Sequence, residues 1–352
     1  MTEGQSAMGG AVYVQTNEAE ANRVAAFRRA GDGTLSPLGS YVTGGRGTGE
    51  PHLPSQNSLV LSQDGRWLVV ANAGSDDVSL LVVLPDGLAL SDRASSGGNS
   101  PTSVAVHGTL VYALNRGGDG AAGNVSGLTI GEGGKLLPLE GSTRGLSSEE
   151  ADPAQVAFSP DGKTLAVTER VTDRISAYEV TAGGYLDGPI VHASSGATPY
   201  GFDFTRSGTV VVTEAFGGQV GAAAASSYAI SGMARLVPVS ASIGNTRSEV
   251  CWAVVGKDGR FAYVTNFCDG TISSYAIHPD GSIELVGPVV AATRLGEKGI
   301  RDAALSRDGR FLYAIDADSQ EIYGWEVRSD GSLTPLGAVD GLPATVAGLA
   351  AN

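Results

Sequence analysis

The two glutamates that end short apolar runs, Glu169 in TLAVTE and Glu214 in TVVVTE, are the first chemical candidates in the chain. Glutamate is a poor turn former, and a carboxylate held beside a cavity can serve as a general acid or base. Arg301, in GIRDAALS, supplies a guanidinium that can clamp a carboxylate or stabilise a developing oxyanion; its structural alternative is an ion pair with Asp302 or Asp316. His52, in EPHLP, is the histidine placed to move a proton, although a solvated loop histidine would look the same. Tyr200 and Trp252 can wall a small-molecule pocket, or equally pack between structural units.

These residues acquire positions from a repeat. The stretch Pro153 to Val180 reads as an apolar run, the turn Ser159-Pro160-Asp161-Gly162, a second apolar run ending at Glu169, and an alternating third run from Ile175 to Val180. The same phrase recurs around Gly65, Gly108, Gly162, Gly208, Gly259 and Gly309, at a spacing of roughly 40 to 50 residues. Four short strands per unit at that period predict a β-propeller. Ala11 to Val14, Val24 to Phe27 and the turn Gly31-Asp32-Gly33 form a seventh unit without its first strand, and Pro343 to Leu349 resembles that missing strand. We therefore expect one all-β domain over residues 11–352, a seven-bladed propeller of four-stranded blades. The C-terminal strand, at about 343–350, would complete the first blade after a flexible N-terminus at 1–10.

With strands named A to D from centre to rim, the A-to-B and C-to-D turns share one face. The B-to-C loops and D-to-A crossings share the other. The second set varies widely in length and sequence, and variable loops on a rigid scaffold are where function usually sits. The residues ending strand B are Thr16, Asn72, Asn115, Glu169, Glu214, Asn266 and Asp316, which should form a polar ring near the channel mouth on that variable face. Asn and Asp commonly satisfy backbone groups at such a turn. The starts of strand A, among them Ala154-Gln155, Tyr200-Gly201, Cys251-Trp252 and Arg301-Asp302, face the same mouth. His107 and His278 fall on the constant face and His192 on an outer strand.

Fifty-one glycines and 17% charged residues fit strands and turns, and no convincing helix is needed. A formal net charge of −14 argues against a phosphate-backbone partner. No run of 18 apolar residues is present to span a membrane, and the first ten residues lack the apolar core of a signal peptide, so a cytoplasmic location is expected. Cys251 and Cys268 are the only cysteines; the hairpin register sets Cys251 opposite about Val264, so both should be reduced thiols. The patterns GxSxG, HExxH and GxxxxGK[ST] are absent, and the histidines and thiols form no recognisable zinc set.

The blade phrase SPDGKTLAVTERVTDRISAYEV, the repeated DGS turns, the order of the blades and the closing strand together resemble the seven-bladed propeller lactonase family, over essentially all of residues 11 to 352. That family includes bacterial-type 6-phosphogluconolactonases and carboxymuconate-lactonizing enzymes. The resemblance implies that Glu214, in VVTEAFG, matches the family's acidic residue, and that Arg301 matches its arginine opening the seventh blade. The family's histidine opening the fourth blade falls at Ala154-Gln155, its arginine opening the fifth at Tyr200, and a further arginine has an approximate counterpart in Arg247 of NTRSEV.

The expected activity is that of a divergent enzyme that hydrolyses a small lactone or forms one by cycloisomerisation. Glu214 would be the acid or base, and Arg301 the anion holder. Glu169, Gln155 or His52 would orient water or substrate, and Tyr200, Trp252, Asn115, Asn266, Asp316 and Arg247 would line the site. No cofactor is expected. One alternative is a hydrolase with Ca²⁺ or Mg²⁺ on Glu169, Glu214, Asp316 and the ring asparagines; another is a non-catalytic propeller that binds a metabolite or a protein. A small-molecule partner is expected, without nucleic acid or membrane, and a monomer is compatible with the pattern.

Overall fold

The computed structural model describes residues 9–51, 53–118, 120–232 and 234–352. Seven sheets follow one another in chain order. The fourth blade shows the plan: Pro153–Phe158, Thr164–Glu169, Arg174–Val180 and Leu186–Ala193 pair as neighbours, each antiparallel to the last. Its A-to-B turn is held by Asp161, whose carboxylate accepts the Ser159 hydroxyl and the Lys163 N–H, while Gly162 takes a φ of 70°. That left-handed conformation is open to glycine at little cost, which is why glycine recurs at this turn position in the other blades.

The third blade departs from the plan, because its outer edge is split into Lys135–Pro138 and Arg144–Gly145, both paired with Asn124–Gly131. Among the described residues, helix is confined to three short 3-10 turns. The closing strand is present but lies later than expected, at Ala347–Ala351, antiparallel to Ala11–Gln15. Residues 343–346 instead turn into it, with the Val346 N–H bonded to the Pro343 carbonyl. Arg29 locks the closure by donating from Nη2 and Nε to the Asn352 carbonyl, at 3.0 and 3.2 Å.

The core is divided into layers between blades, because each sheet buries both faces against its neighbours. Val12, Val14 and Phe27 of the first blade pack on Phe311, Tyr313 and Ile315 of the seventh, and equivalent apolar layers lie between every other adjacent pair. Burial of such side chains stabilises by about 1.5–3 kcal/mol each, and the tyrosine hydroxyls add directional ties. Tyr112, Tyr263 and Tyr313 donate to the carbonyls of Gly184, Gly331 and Gly33, each in the C-to-D turn of the next blade.

Candidate active site

The mouth on the variable face is shaped by irregular backbone at the entry of strand A. Asn57, Ser100, Asp152, Thr198 and Glu249 each precede or open an A strand at φ between 45° and 64°. This is a costly conformation, most of all for β-branched Thr198. A bulge follows in blades three to seven, where pairing skips Thr102, Ala154, Tyr200-Gly201, Cys251 and Arg301-Asp302. Bulges re-aim side chains, and here they turn Tyr200, Cys251 and Arg301 toward one another at the mouth. Cys251 therefore does not pair with Val264, whose partner is Ala253; both cysteines are free.

The strand-B ring is tied into the crossings, as the turn-satisfying reading of its Asn and Asp residues expects, and its glutamates are held the same way. Glu214 is fully buried and accepts hydrogen bonds from the Gly196 N–H at 2.8 Å and from the hydroxyls of Ser226 and Ser242. Burial pushes its carboxyl above the usual range, against those three bonds, which favour the ionised form. Glu169 is equally buried, bonded by the Ser147 N–H and hydroxyl, Thr172 and Ser176. Asn72, Asn115, Asn266 and Asp316 repeat the arrangement. Asn72 accepts from Thr43, Asn115 donates to the Ser96 carbonyl, Asn266 accepts from Asn245, and Asp316 accepts from Thr293. Each therefore ties the crossing that enters its blade, a turn-satisfying role that extends to both glutamates. Space is tight there: a Cβ on Gly196 would sit 2.3 Å from the Glu214 carboxylate.

Because successive strand residues point to opposite faces, the residue after the ring member points toward the next blade and the mouth. Arg170 follows Glu169, and its guanidinium lies 5.2 Å from the Tyr200 ring centroid. Phe267 follows Asn266 and lies 5.4 Å from the Arg301 guanidinium. Asp152 holds Arg170 at 2.7 Å and also takes Arg116 at 2.7 Å. Arg170 and Phe267 do not stand out by residue type in the sequence, and period-two alternation is the signal that marks them. Glu249 stands in the same group: it accepts the Cys268 thiol at 2.8 Å, and its charge bears on both Tyr200 and Cys251.

The electrostatics of this group are set by burial. Tyr200 is 4% exposed, its hydroxyl has no hydrogen-bond partner, and burial drives its pKa far up despite the opposing pull of Arg170 and Arg301. It remains a phenol and therefore a proton donor. Cys251 is likewise held as a thiol by burial. Arg301, 6% exposed, is lowered by burial, and its Nε is unpartnered. It makes no ion pair with Asp302 or Asp316; Arg294 approaches Asp316 instead, at 3.8 Å.

A segment of the first crossing closes the mouth. Arg301 donates to the Pro51 carbonyl, Trp252 Nε1 donates to the Ser55 carbonyl at 3.0 Å, and the Ser55 hydroxyl donates to the Thr102 carbonyl. The Gln56 N–H reaches the Ala154 carbonyl, and its side chain exchanges two bonds with the backbone of Ala253, across the channel. Trp252 thus anchors a plug rather than lining an open pocket. Gln155 is also a bridge, exchanging two bonds with the backbone of Phe202. Arg247 lies half-buried on the crossing into the sixth blade, with Nε unpartnered, and His52 lies outside the described residues. Glu169, Glu214 and Asp316 stand in separate blades, and the described residues hold no cluster of three or more His, Cys, Asp or Glu side chains.

The family model described as lactonase, 7-bladed beta-propeller, matches residues 6–139, 139–215 and 211–348. No curated protein matches the chain in sequence. Among solved structures, a putative 6-phosphogluconolactonase from Bacteroides fragilis aligns with a TM-score of 0.77 and 17% identity, covering 99% of each chain. A periplasmic gluconolactonase from Pseudomonas aeruginosa aligns at 0.74 and 19%, covering 96% of this chain and 97% of that one. A putative 6-phosphogluconolactonase from Bacteroides uniformis aligns at 0.73 and 21%, covering 97% and 99%. At these identities the structures establish a shared fold.

Proposed function

The chain belongs to the lactonase family of seven-bladed β-propellers, and on that premise we propose that it hydrolyses a small lactone at the variable-face mouth. The observation that carries this reading is the buried group at the mouth, in which Arg170 lies 5.2 Å from the Tyr200 ring centroid and Arg301 lies 5.4 Å from the Phe267 ring, while the Tyr200 hydroxyl and the Arg301 Nε are both without partners. Two positive groups beside a buried phenol form a site for an oxyanion. The Pro51 carbonyl that now accepts from Arg301 stands where an acidic or carbonyl oxygen of substrate would go. Substrate entry accordingly displaces the plug.

In this reading the base is Glu249 rather than Glu214, whose carboxylate oxygens are occupied inside the blade. Glu249 takes a proton from water, whose oxygen adds to the lactone carbonyl. The carbonyl electron pair moves onto oxygen, facing Arg301 and the Tyr200 hydroxyl. Collapse breaks the bond to the ring oxygen, which leaves with the proton returned by Glu249 and yields a hydroxy acid. Its carboxylate is then held by the arginines. Sugar lactones head the substrate panel, since the similar structures are named for gluconolactone and its 6-phosphate. A ring-closing reaction on an unsaturated carboxylate is the alternative use of the same anion clamp.

The test is turnover of γ- and δ-lactones, including gluconolactone and its 6-phosphate, by the intact chain and by Arg301→Ala and Glu249→Gln. Removing one oxyanion donor should lower kcat/KM about 10²–10³-fold. The proposal fails if no lactone is hydrolysed above background, or if Arg301→Ala turns over as fast as the parent.

A further inference from the structure

The other end of the channel, on the face of the short turns, carries a cavity of its own. Its volume is ≈ 470 Å³, and its walls are the ends of A strands from five blades, with Leu61, Val255, Leu305 and Ala351 supplying apolar surface. Three cations, one each from the fifth, sixth and seventh blades, complete the lining: Arg206, Lys257 and Arg307. All three occupy the second position of an A-to-B turn. The following turn acids, Asp258 and Asp308, and Asp64 across the mouth, bond back to their own hairpins at the N–H groups of Arg260, Arg310 and Arg66.

The positive charge is not cancelled within the cavity. Arg307 is fixed by two neutral acceptors, the carbonyls of Gln63 at 2.9 Å and Asp64 at 3.2 Å, which orient the guanidinium and leave its charge in place. Among the described residues, Arg206 and Lys257 make neither an ion pair nor a side-chain hydrogen bond. The one carboxyl in the lining is Asp203, whose oxygens accept the N–H groups of Phe204 and Val255, both at 2.8 Å. Burial raises its pKa, against Lys257 and those two bonds, which reduces its competition for the cations. In a chain of formal net charge −14, a basic rim over an apolar floor runs against the overall electrostatic trend.

We propose that this mouth binds a small organic carboxylate, its charged end among Arg206, Lys257 and Arg307 and its apolar part against Leu61, Val255 and Leu305. A bidentate guanidinium–carboxylate contact is the strong form of such recognition, and the apolar floor sets the preference for an organic over an inorganic anion. The cross-channel bridges of Gln56 lie between this mouth and Arg301. The proposal does not depend on lactone hydrolysis.

The probe is benzoate, titrated calorimetrically into the full chain, with inorganic phosphate as comparison. Benzoate should bind saturably and more weakly as salt rises; in an Arg301→Ala background, where the carboxylate holder of the other mouth is removed, one equivalent should remain, and it should bind at least about tenfold more weakly when Arg206→Ala/Lys257→Ala is added, a loss that corresponds to about 1.4 kcal/mol. Both side chains are exposed at turns, so an unchanged melting temperature verifies the fold of the variant. Arg301→Ala should retain the benzoate binding that depends on Arg206 and Lys257, whatever it loses at the other mouth. Absence of saturable binding, equal affinity with and without the double substitution in that background, or loss of all binding in Arg301→Ala would each overturn the assignment, and phosphate binding as tightly as benzoate would overturn its apolar component.

Discussion

Asp302 is 2% exposed beside the channel, next in sequence to Arg301 yet unpaired with it. Its Oδ1 accepts the Ala303 N–H at 3.0 Å, while Oδ2 lacks a partner meeting hydrogen-bond geometry, although the Leu349 and Asn57 N–H groups lie close enough to oppose the effect of burial. Burial prevails and raises the pKa to about 8. The sign follows from proton counting. Between the unfolded value near 3.9 and about 8, the folded chain keeps a proton that the unfolded chain releases, so stability falls as pH rises through that window. At about 1.4 kcal/mol per unit, this one group should remove about 3–4 kcal/mol between pH 5 and pH 8.

Asp302→Asn replaces the group with a neutral isostere and should abolish that slope. The assay is urea unfolding of both chains at pH 5 and pH 8. The parent-minus-variant difference should change by about 3–4 kcal/mol, because every other titration cancels in it. A change below about 1 kcal/mol, within the error of extrapolation, would refute the claim that this carboxyl is neutral in the folded channel.

Glu214→Ala should cost about 2–4 kcal/mol in urea unfolding, since it leaves the Gly196 N–H and the hydroxyls of Ser226 and Ser242 without their acceptor; equal stability would return Glu214 to the list of catalytic candidates. Cys268 is exposed, but burial of the thiol and its bond to Glu249 push its pKa up to about 12. Alkylation near pH 8 should therefore be slow, modify Cys268 before buried Cys251, and accelerate in Glu249→Gln.

Much of the architecture was legible in local chemistry. Turns such as Ser159-Pro160-Asp161-Gly162 and alternating runs such as Ile175 to Val180 specify hairpins from neighbouring residues alone, and their recurrence specifies blades. Pro343 to Leu349 identified the closing strand, although its pairing begins only at Ala347. The resemblance pointed to the family and to Arg301. What local sequence does not contain is the direction of a side chain at the end of strand B. Glu169 and Glu214 ended the right strands, but the incoming crossings satisfy them, and Arg170, one residue further on, turns toward Tyr200. The plug depends on contacts between Ser55 or Gln56 and residues nearly 200 positions away, and the cationic mouth depends on three turns meeting around one axis. Strand period and turn type are short-range steric properties that sequence alone determines, whereas burial, pairing and convergence of charge arise only when the seven blades close into a ring.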